Sequence, residues 1–288
     1  MRLGPRGAER PAAIDADGVV RDLSAVIADI DAVFLAGGLV DATDALARGA
    51  LPALDISGVR VGAPIARPGK VVCIGLNYRD HAAETGQAVP TRPIVFMKDP
   101  YTVVGPDDDV RIPRGSKKTD YEVELAVVIG AQARYLDSPA DAAAVVAGFA
   151  VSNDVSEREF QLELSSQWDL GKSCETFNPL GPWLVTPDEV GDAGQLALRL
   201  SVNGDTRQDG NTSDMVFGVE HLIWYLSQYM VLEPGDVINT GTPAGVALGR
   251  PDHPYLRAGD IVESEIDGLG RQRQTFVPAE TSEGTSHG

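Results

Sequence analysis

Two glutamates separated by one residue, Glu122 and Glu124, begin an apolar stretch of the chain. In a β-strand alternate side chains share a face, so both carboxylates would lie together, with Val123 and Leu125 opposite. A third carboxylate, Asp154, ends another apolar stretch. Buried carboxylates repel each other unless a cation neutralises them, and an oxygen-only donor set suits Mg²⁺, Mn²⁺ or Ca²⁺. The spacing predicts a metal site and leaves one alternative, an acidic strand edge.

A possible catalytic base, a histidine supported by a carboxylate, lies in residues 75–86. There His81 and Glu84 are three positions apart. On a short helix they would share a face and could form a hydrogen bond. A carboxylate that orients an imidazole and raises its basicity makes a base able to activate water. Glycines at both ends suit a loop that orders over a ligand. An incidental pair on a surface turn is the alternative that this spacing leaves open.

Two further segments could contact an anion. Lys172 stands among small residues ahead of an apolar stretch, and so could act as a cation at a site. Residues 239–245, NTGTPAG, offer backbone N–H groups and hydroxyls to a group such as a carboxylate. Neither segment has the glycine spacing of a phosphate-binding P-loop. A tight turn is the alternative for residues 239–245.

Composition narrows the class of protein. The 288 residues carry a net charge of −18, which argues against nucleic acid as a partner because phosphates attract Lys and Arg. Two cysteines, Cys73 and Cys174, without CxxC spacing exclude a cysteine-rich zinc cluster and are expected to be reduced. The first residues lack a signal-peptide pattern, and the longest apolar run is half of a membrane span. We therefore expect a cytoplasmic protein with no membrane partner.

The chain divides into a small N-terminal unit and a larger β-rich part. Residues 1–65 are predicted to form a small domain, with a hairpin at 12–22 around Asp17-Gly18 and a helix at 23–36. Residues 66–278 contain many short apolar strands, with helices predicted only at 138–146, 157–164 and 217–229. The polar tail at 279–288 is expected to be disordered. This pattern predicts a mixed α/β fold, mainly β, of the roll or barrel type.

Six segments resemble the fumarylacetoacetate hydrolase family in their order and spacing. They are IGLNYRDHAAETG, PIVFMKDP, DYEVELAVVIG, SNDVSEREFQ, GKSCETFNPLGP and NTGTPAGV, within residues 67–277. The resemblance implies a β-roll catalytic domain behind a small N-terminal domain, usually a homodimer or a dimer of dimers. It also implies Mg²⁺ or Mn²⁺ as cofactor, with Ca²⁺ possible in crystals.

The resemblance also assigns roles by motif position. Glu122, Glu124 and Asp154 would bind the metal, and His81 with Glu84 would activate water on a mobile lid. Lys172 would stabilise an enolate or oxyanion. The residues implied to hold a small-molecule 2-oxo acid substrate are Arg158, Gln161, Thr242, Gly241 and Tyr78.

The implied reaction is metal-dependent hydrolysis of a C–C bond in a 2,4-dioxo acid, giving pyruvate and a carboxylic acid such as lactate. Within the family, residues 155–163, 171–190 and 208–228 are most similar to a bacterial branch that acts on 2,4-diketo-3-deoxy sugar acids of the L-rhamnonate or L-fuconate type, often named ureidoglycolate lyase. The alternatives are isomerisation or decarboxylation of a small 2-oxo dicarboxylic acid, of the 5-carboxymethyl-2-hydroxymuconate or oxaloacetate type. A metal-binding structural domain is the non-enzyme alternative.

Overall fold

The computed structural model describes residues 1–279, in which strands outnumber helices. The strands are β1 (Arg2–Leu3), β2 (Arg10–Ile14), β3 (Val20–Asp22), β4 (Val61–Gly62), β5 (Val71–Gly75), β6 (Ile94–Lys98), β7 (Val103–Val104), β8 (Val110–Ile112), β9 (Thr119–Asp120), β10 (Val123–Ile129), β11 (Val146–Asn153), β12 (Ser156–Glu157), β13 (Asn178–Val185), β14 (Ala197–Val202), β15 (Asp205–Asn211), β16 (Val237–Asn239), β17 (Ile261–Ile266) and β18 (Gly270–Pro278). The helices are α1 (Ala32–Gly37), α2 (Leu39–Ala47), α3 (Arg79–Glu84), α4 (Arg158–Leu162), α5 (Asp169–Lys172), α6 (Pro187–Val190) and α7 (Val219–Ser227). Short 3₁₀ turns cover Pro100–Thr102, Pro139–Val145, Thr212–Asp214 and Ala247–Gly249. The predicted mixed, mainly β fold is confirmed. Apart from Ala279, the tail predicted at 279–288 lies outside the described residues.

Two larger sheets form the body of residues 66–279. One has seven strands in the order β6-β5-β16-β10-β11-β13-β7, with mixed parallel and antiparallel pairs. The other has five strands in the order β15-β14-β17-β18-β8. A two-stranded ladder, β12-β9, joins the segments that precede and follow the central hairpin β10-β11. None of the helices in residues 1–279 is long and apolar enough to cross a membrane.

Strand β10 shows why the seven-stranded sheet is buried on both faces. Leu125 and Val127 pack into the main core, together with side chains of the five-stranded sheet and of α7. Ala126 and Val128 point the other way, into a second core. All four are fully buried, and burial of each larger aliphatic side chain contributes roughly 1.5–3 kcal/mol. The alternation predicted for this strand is therefore present.

The N-terminal segment covers the second face of that sheet. Phe34 and Leu35 of α1 and Ala45 of α2 belong to the same core as Val71 of β5. The predicted hairpin is confirmed by the pairing of β2 with β3, and β1 and β4 complete a four-stranded sheet. These contacts hold the N-terminal segment against the sheet on which the candidate site is built.

The helix predicted at 23–36 is wrong, because α1 begins only at Ala32 and a second helix follows. The side chain of Asp22 accepts a hydrogen bond from Ser24 N, and that of Asp29 accepts one from Ile30 N. Such local bonds compete with a helix. The Asp31 side chain then accepts a hydrogen bond from Phe34 N, which caps the helix and fixes its start.

The other predicted helices are present in shortened form. Residues 138–146 contain the 3₁₀ turn Pro139–Val145, residues 157–164 contain α4, and residues 217–229 contain α7. Both cysteines are free thiols; Cys73 is fully buried, whereas Cys174 is half-buried.

Candidate metal centre and its cavity

The three predicted metal ligands lie together at the start of β10 and the end of β11. Glu122 precedes β10, Glu124 is its second residue, and Asp154 follows the last residue of β11. Glu124 pairs in register with Ser152, and Asp154 N donates a hydrogen bond to Glu122 O. One oxygen from each carboxylate lies within 4.8 Å of the others, and all three side chains are buried. The structure therefore brings together the carboxylates that the alternation grouped, on an inward face rather than an exposed edge.

Three buried cations contact this group. Lys172 Nζ lies 2.8 Å from both Glu122 Oε2 and Asp154 Oδ2. Lys98 Nζ lies 2.5 Å from Asp154 Oδ1. Arg158 Nη2 lies 2.6 Å from Glu122 Oε1, and Arg158 Nε lies 2.8 Å from Asp120 Oδ2. In this arrangement every carboxylate of the group except Glu124 has a cationic partner.

The cations lower the pKa of Glu122 more strongly than that of Glu124, so the two pKa values differ. Burial by itself raises the pKa of Glu122, but the positive charges of Lys172 and Arg158 outweigh it and lower the pKa to about 2. Glu124 accepts a hydrogen bond from Gly241 N at 2.8 Å, without a cation bonded to it. Burial, followed by repulsion from Asp154 and Glu122, raises the pKa of Glu124 well above its ordinary value. Glu124 is thus the carboxylate of the group that no cation within residues 1–279 contacts directly.

The donor set and the lack of a cationic partner at Glu124 both fit a divalent cation. The ligands on offer are carboxylate oxygens, which Mg²⁺ and Mn²⁺ accept. A cation between Glu122, Glu124 and Asp154 would offset the repulsion that acts on Glu124. The same triad is the single group of three or more carboxylate, His or Cys ligands found among residues 1–279.

The predicted His81–Glu84 pair is formed on α3. His81 Nδ1 lies 2.9 Å from Glu84 Oε1, and the His81 side chain is buried. Gly245 N lies 3.0 and 2.9 Å from the two oxygens of Glu84 and donates to that carboxylate, which anchors it to the 239–245 loop. Since Glu84 holds Nδ1, the other ring nitrogen of His81 is left to take a proton.

One cavity of about 700 Å³ contains both features. Its wall includes His81 and Glu84 together with Glu122, Glu124 and Lys172. A separate set of lining side chains is apolar: Ile74, Leu76, Ile94, Phe96, Leu162 and Trp168. A pocket of this size, with a few convergent polar groups on an apolar wall, is suited to a small molecule.

The predicted substrate-binding residues are distributed unevenly. Arg158, Gln161 and Thr242 line the cavity, but each already has protein partners. Gln161 Oε1 accepts a hydrogen bond from Arg158 Nη1 at 3.0 Å, and Thr242 Oγ1 donates one to Val123 O at 2.9 Å. Gly241 N donates a hydrogen bond to Glu124, and Gly241 does not line the cavity.

Tyr78 does not line the cavity, contrary to its predicted role. Its ring is fully buried in the main core, and its hydroxyl has no hydrogen-bond partner among residues 1–279. The residue forms the N-terminal boundary of α3, where its backbone is extended. Its position supports the helix that carries His81 and not a contact to a ligand.

Two residues of the site escaped the sequence analysis. Lys98 ends β6 and bonds both Asp154 and Val155 O, although a lysine at a strand end usually reaches solvent. Asp120 bonds Arg158 and accepts N–H groups from Ala247 and Leu248, so it fixes the loop after β16. The signal for Lys98 was its place directly after four apolar residues; Asp120 gave none beyond its nearness to Glu122.

Comparison with known proteins assigns the chain to a family. The family model for the C-terminal domain of fumarylacetoacetate hydrolase matches residues 70–277. A protein of Burkholderia multivorans, whose name goes no further than hydrolase, is 52% identical over 276 residues, covering 95% of this chain and 97% of the relative.

Two solved structures have the same fold over nearly the whole chain. Maleylpyruvate hydrolase from Sphingobium sp. SYK-6, in complex with manganese(II) and pyruvate, has a TM-score of 0.79 and 28% identity, covering 97% of this chain and all of that one. A 5-carboxymethyl-2-hydroxymuconate delta-isomerase from Mycobacterium smegmatis has a TM-score of 0.76 and 31% identity, covering 98% of this chain and all of that one. By the family match and by these similarities, the chain belongs to the fumarylacetoacetate hydrolase family.

Proposed function

We propose that this protein is a metal-dependent hydrolase that cleaves the C3–C4 bond of a 2,4-dioxo acid of the acylpyruvate type. The observation that carries the proposal is that His81, bonded to Glu84, lines the same cavity as Glu122 and Glu124, which form the candidate metal group with Asp154. The similar maleylpyruvate hydrolase, whose structure holds manganese and pyruvate, supports the metal and the pyruvate end of the substrate.

The residues of this chain divide the work. Glu122, Glu124 and Asp154 would hold Mg²⁺ or Mn²⁺, which when bound supplies positive charge and a template for the 2-oxo acid end. Lys172 keeps Glu122 and Asp154 in place and lines the cavity, so its ammonium also adds positive charge there. Its predicted role at an oxyanion stays a prediction.

The His81–Glu84 pair generates the nucleophile from water. His81, oriented by Glu84, removes a proton from water, and the resulting hydroxide adds to the C4 carbonyl. The tetrahedral oxyanion collapses to a carboxylic acid, the C3–C4 bond breaks, and its electron pair passes to the pyruvate enolate. Protonation at C3 gives pyruvate. The balance is one dioxo acid and one water to pyruvate and one carboxylic acid.

Replacement of the base tests this assignment. For His81→Ala we expect kcat to fall by about 10²–10⁴-fold, the usual contribution of a positioned base, while Mn²⁺ binding measured by calorimetry is retained. His221→Ala is the matched control, because His221 lies on α7 and does not line the cavity. Near-normal kcat in His81→Ala with metal bound would refute the assignment.

Isomerisation is the second candidate, supported by the similar muconate delta-isomerase. It needs the metal and an enolate stabiliser but no attacking water, so the His81–Glu84 pair favours hydrolysis. Decarboxylation of an oxaloacetate-type acid and ureidoglycolate lysis are further options for the same site. Product analysis separates them, since only hydrolysis of a dioxo acid yields pyruvate and a carboxylic acid together.

The non-enzyme alternative, a structural metal domain, makes a different prediction. Removal of the metal with a chelator would then unfold the protein. Our proposal expects turnover to stop while the far-ultraviolet circular dichroism spectrum is retained, because the apolar cores do not depend on the triad.

A further inference from the structure

One cation of the cavity wall, Arg250, makes no hydrogen bond to a carboxylate in the part of the chain that the structure describes. Arg250 lines the wall, its Nε is buried without a hydrogen-bond partner, and no side-chain hydrogen bond of Arg250 is present within residues 1–279. Its nearest carboxylate is Asp252, with Nε 3.7 Å from Oδ1, and the Asp252 side chain is 65% exposed. The Arg250 side chain is 35% exposed, but its Nε is buried, and a buried guanidinium nitrogen normally finds a partner. The guanidinium is therefore available to an anionic ligand in the cavity.

The other cations of the wall are already engaged. Lys172 bonds Glu122 and Asp154, and Arg158 bonds Asp120 and Glu122. Their charge is used by the metal-binding group. Arg250 is therefore the cation in the described cavity wall best placed to recognise a charge that the ligand itself brings.

The backbone before Arg250 is fixed at the His81–Glu84 side of the cavity. Ala247 N and Leu248 N donate to the Asp120 carboxylate at 2.8 and 3.0 Å. A Cβ placed on Gly249 would lie only 2.5 Å from Cδ of Glu84, so the backbone at Gly249 is close to the His81–Glu84 pair. Because this pair is proposed to act at C4, Arg250 would lie near the acyl half of the substrate rather than the pyruvoyl half.

Most of the remaining wall is apolar, although Thr85, Gln87 and His253 also line it. The apolar side chains are Ile74, Leu76, Ile94, Phe96, Leu162 and Trp168. Against these side chains a polyol would lose its hydrogen bonds to water without replacing them. A short aliphatic or unsaturated chain would not.

We infer that Arg250 binds a second carboxylate at the far end of the acyl half, so that the substrate is a dicarboxylic acylpyruvate and not a sugar acid whose acyl half is uncharged. This inference rests on the proposed function. It selects, among the acyl halves that the sequence left open, one with an apolar spacer and a terminal negative charge.

The test compares two probes that differ only in that charge: succinylpyruvate and its monomethyl ester at the succinyl carboxylate. For the wild type with Mn²⁺ we expect kcat/KM to be at least about tenfold higher for the diacid, the size of one charge-assisted hydrogen bond. Arg250→Gln should abolish most of this preference, and Arg250→Lys should retain part of it. Arg199→Gln, at an exposed arginine outside the cavity, should leave the ratio unchanged.

The possible results distinguish failure of the Arg250 inference from failure of the hydrolase proposal. An Arg250→Gln enzyme that keeps the full preference, or a wild type that cleaves the ester or 2,4-diketo-3-deoxy-L-rhamnonate as well as the diacid, would overturn the inference and leave the hydrolase proposal standing. Failure of the wild type to cleave succinylpyruvate, its ester or the sugar acid would instead count against the hydrolase proposal.

Discussion

The ammonium of Lys172 lies 2.8 Å from Oε2 of Glu122, so the lysine predicted to act on substrate charge is bonded to a predicted metal ligand. The same ammonium bonds Asp154 at 2.8 Å. A metal ion bound by the triad would share these oxygens with Lys172. The lysine neutralises these carboxylates, and we expect it to compete with a metal ion for their oxygens.

This competition makes Lys172→Met informative. Without the ammonium, buried carboxylates lose a partner, which typically costs about 3–5 kcal/mol, so the melting temperature of the metal-free variant should fall. The rise in melting temperature on adding MnCl₂ should be larger than in the wild type, because the metal meets no competitor. Lys117→Met, at an exposed lysine, is the control. A smaller metal-induced rise in Lys172→Met would show that the lysine assists binding instead.

Glu84→Gln tests the orientation of the base. Glutamine keeps the size of the side chain but loses the charge that favours the required state of His81. We expect kcat to fall about tenfold or more with little change in the affinity for Mn²⁺. Glu189→Gln, on exposed α6, should behave as the wild type. An unchanged kcat would remove Glu84 from the mechanism.

Gly171→Ala tests how α5 is placed against α4. A Cβ at Gly171 would lie 2.4 Å from Glu157 O and 2.5 Å from Gln161 N, and neither backbone atom can move independently. We expect a loss of about 1–3 kcal/mol in the free energy of unfolding by urea, and weaker catalysis because Lys172 is displaced. Gly37→Ala, in α1 with nothing within 4 Å, should be neutral or stabilising. Equal stability of the two variants would contradict this packing.

Much of the site was predictable because it follows from local geometry. The period of a strand placed Glu122 and Glu124 together, and the pitch of a helix joined His81 to Glu84. Long-range pairing was not predictable in the same way. Lys98 meets Asp154 56 positions away, and nothing local distinguishes it from a solvated lysine at a strand end.

The placement of Tyr78 and the conformation of residues 23–36 also depend on contacts that the sequence pattern does not show. Tyr78 lies in a motif segment next to the His81–Glu84 pair, but its ring is buried in the main core. The helix at 23–36 was predicted from apolar spacing, whereas Asp22 and Asp29 bond nearby backbone N–H groups and hold that stretch in turns. Polar side chains that cap or interrupt helices decided the boundary there.

Acid sensitivity can be assigned to one ion pair that joins the N-terminal segment to the larger part. Asp108 accepts hydrogen bonds from Arg60 Nε at 2.7 Å and Nη2 at 2.6 Å. Burial raises the pKa of Asp108, but Arg60 and Gly105 N outweigh it and hold the pKa below its ordinary 3.8. A depressed pKa contributes stability above the ordinary value, and this is lost as the pH falls through the folded-state pKa.

Asp108→Asn should accordingly be less stable than the wild type at about pH 6, and the difference should shrink as the pH falls below the ordinary pKa of 3.8 and through the folded-state pKa. Urea unfolding at several pH values measures this difference, with exposed Asp205→Asn as the control. A difference that stays constant across this range would show that the Asp108 charge contributes nothing to the acid sensitivity.

The most direct test of the central claim is the fate of solvent oxygen during turnover. Succinylpyruvate is incubated with the Mn²⁺-loaded protein in water labelled with heavy oxygen, and the products are analysed by mass spectrometry. The account predicts pyruvate and succinate in equal amounts, with one labelled oxygen in the new succinate carboxyl group, because hydroxide adds to C4. An isomer with an intact carbon skeleton, release of CO₂, or succinate without the label would contradict it.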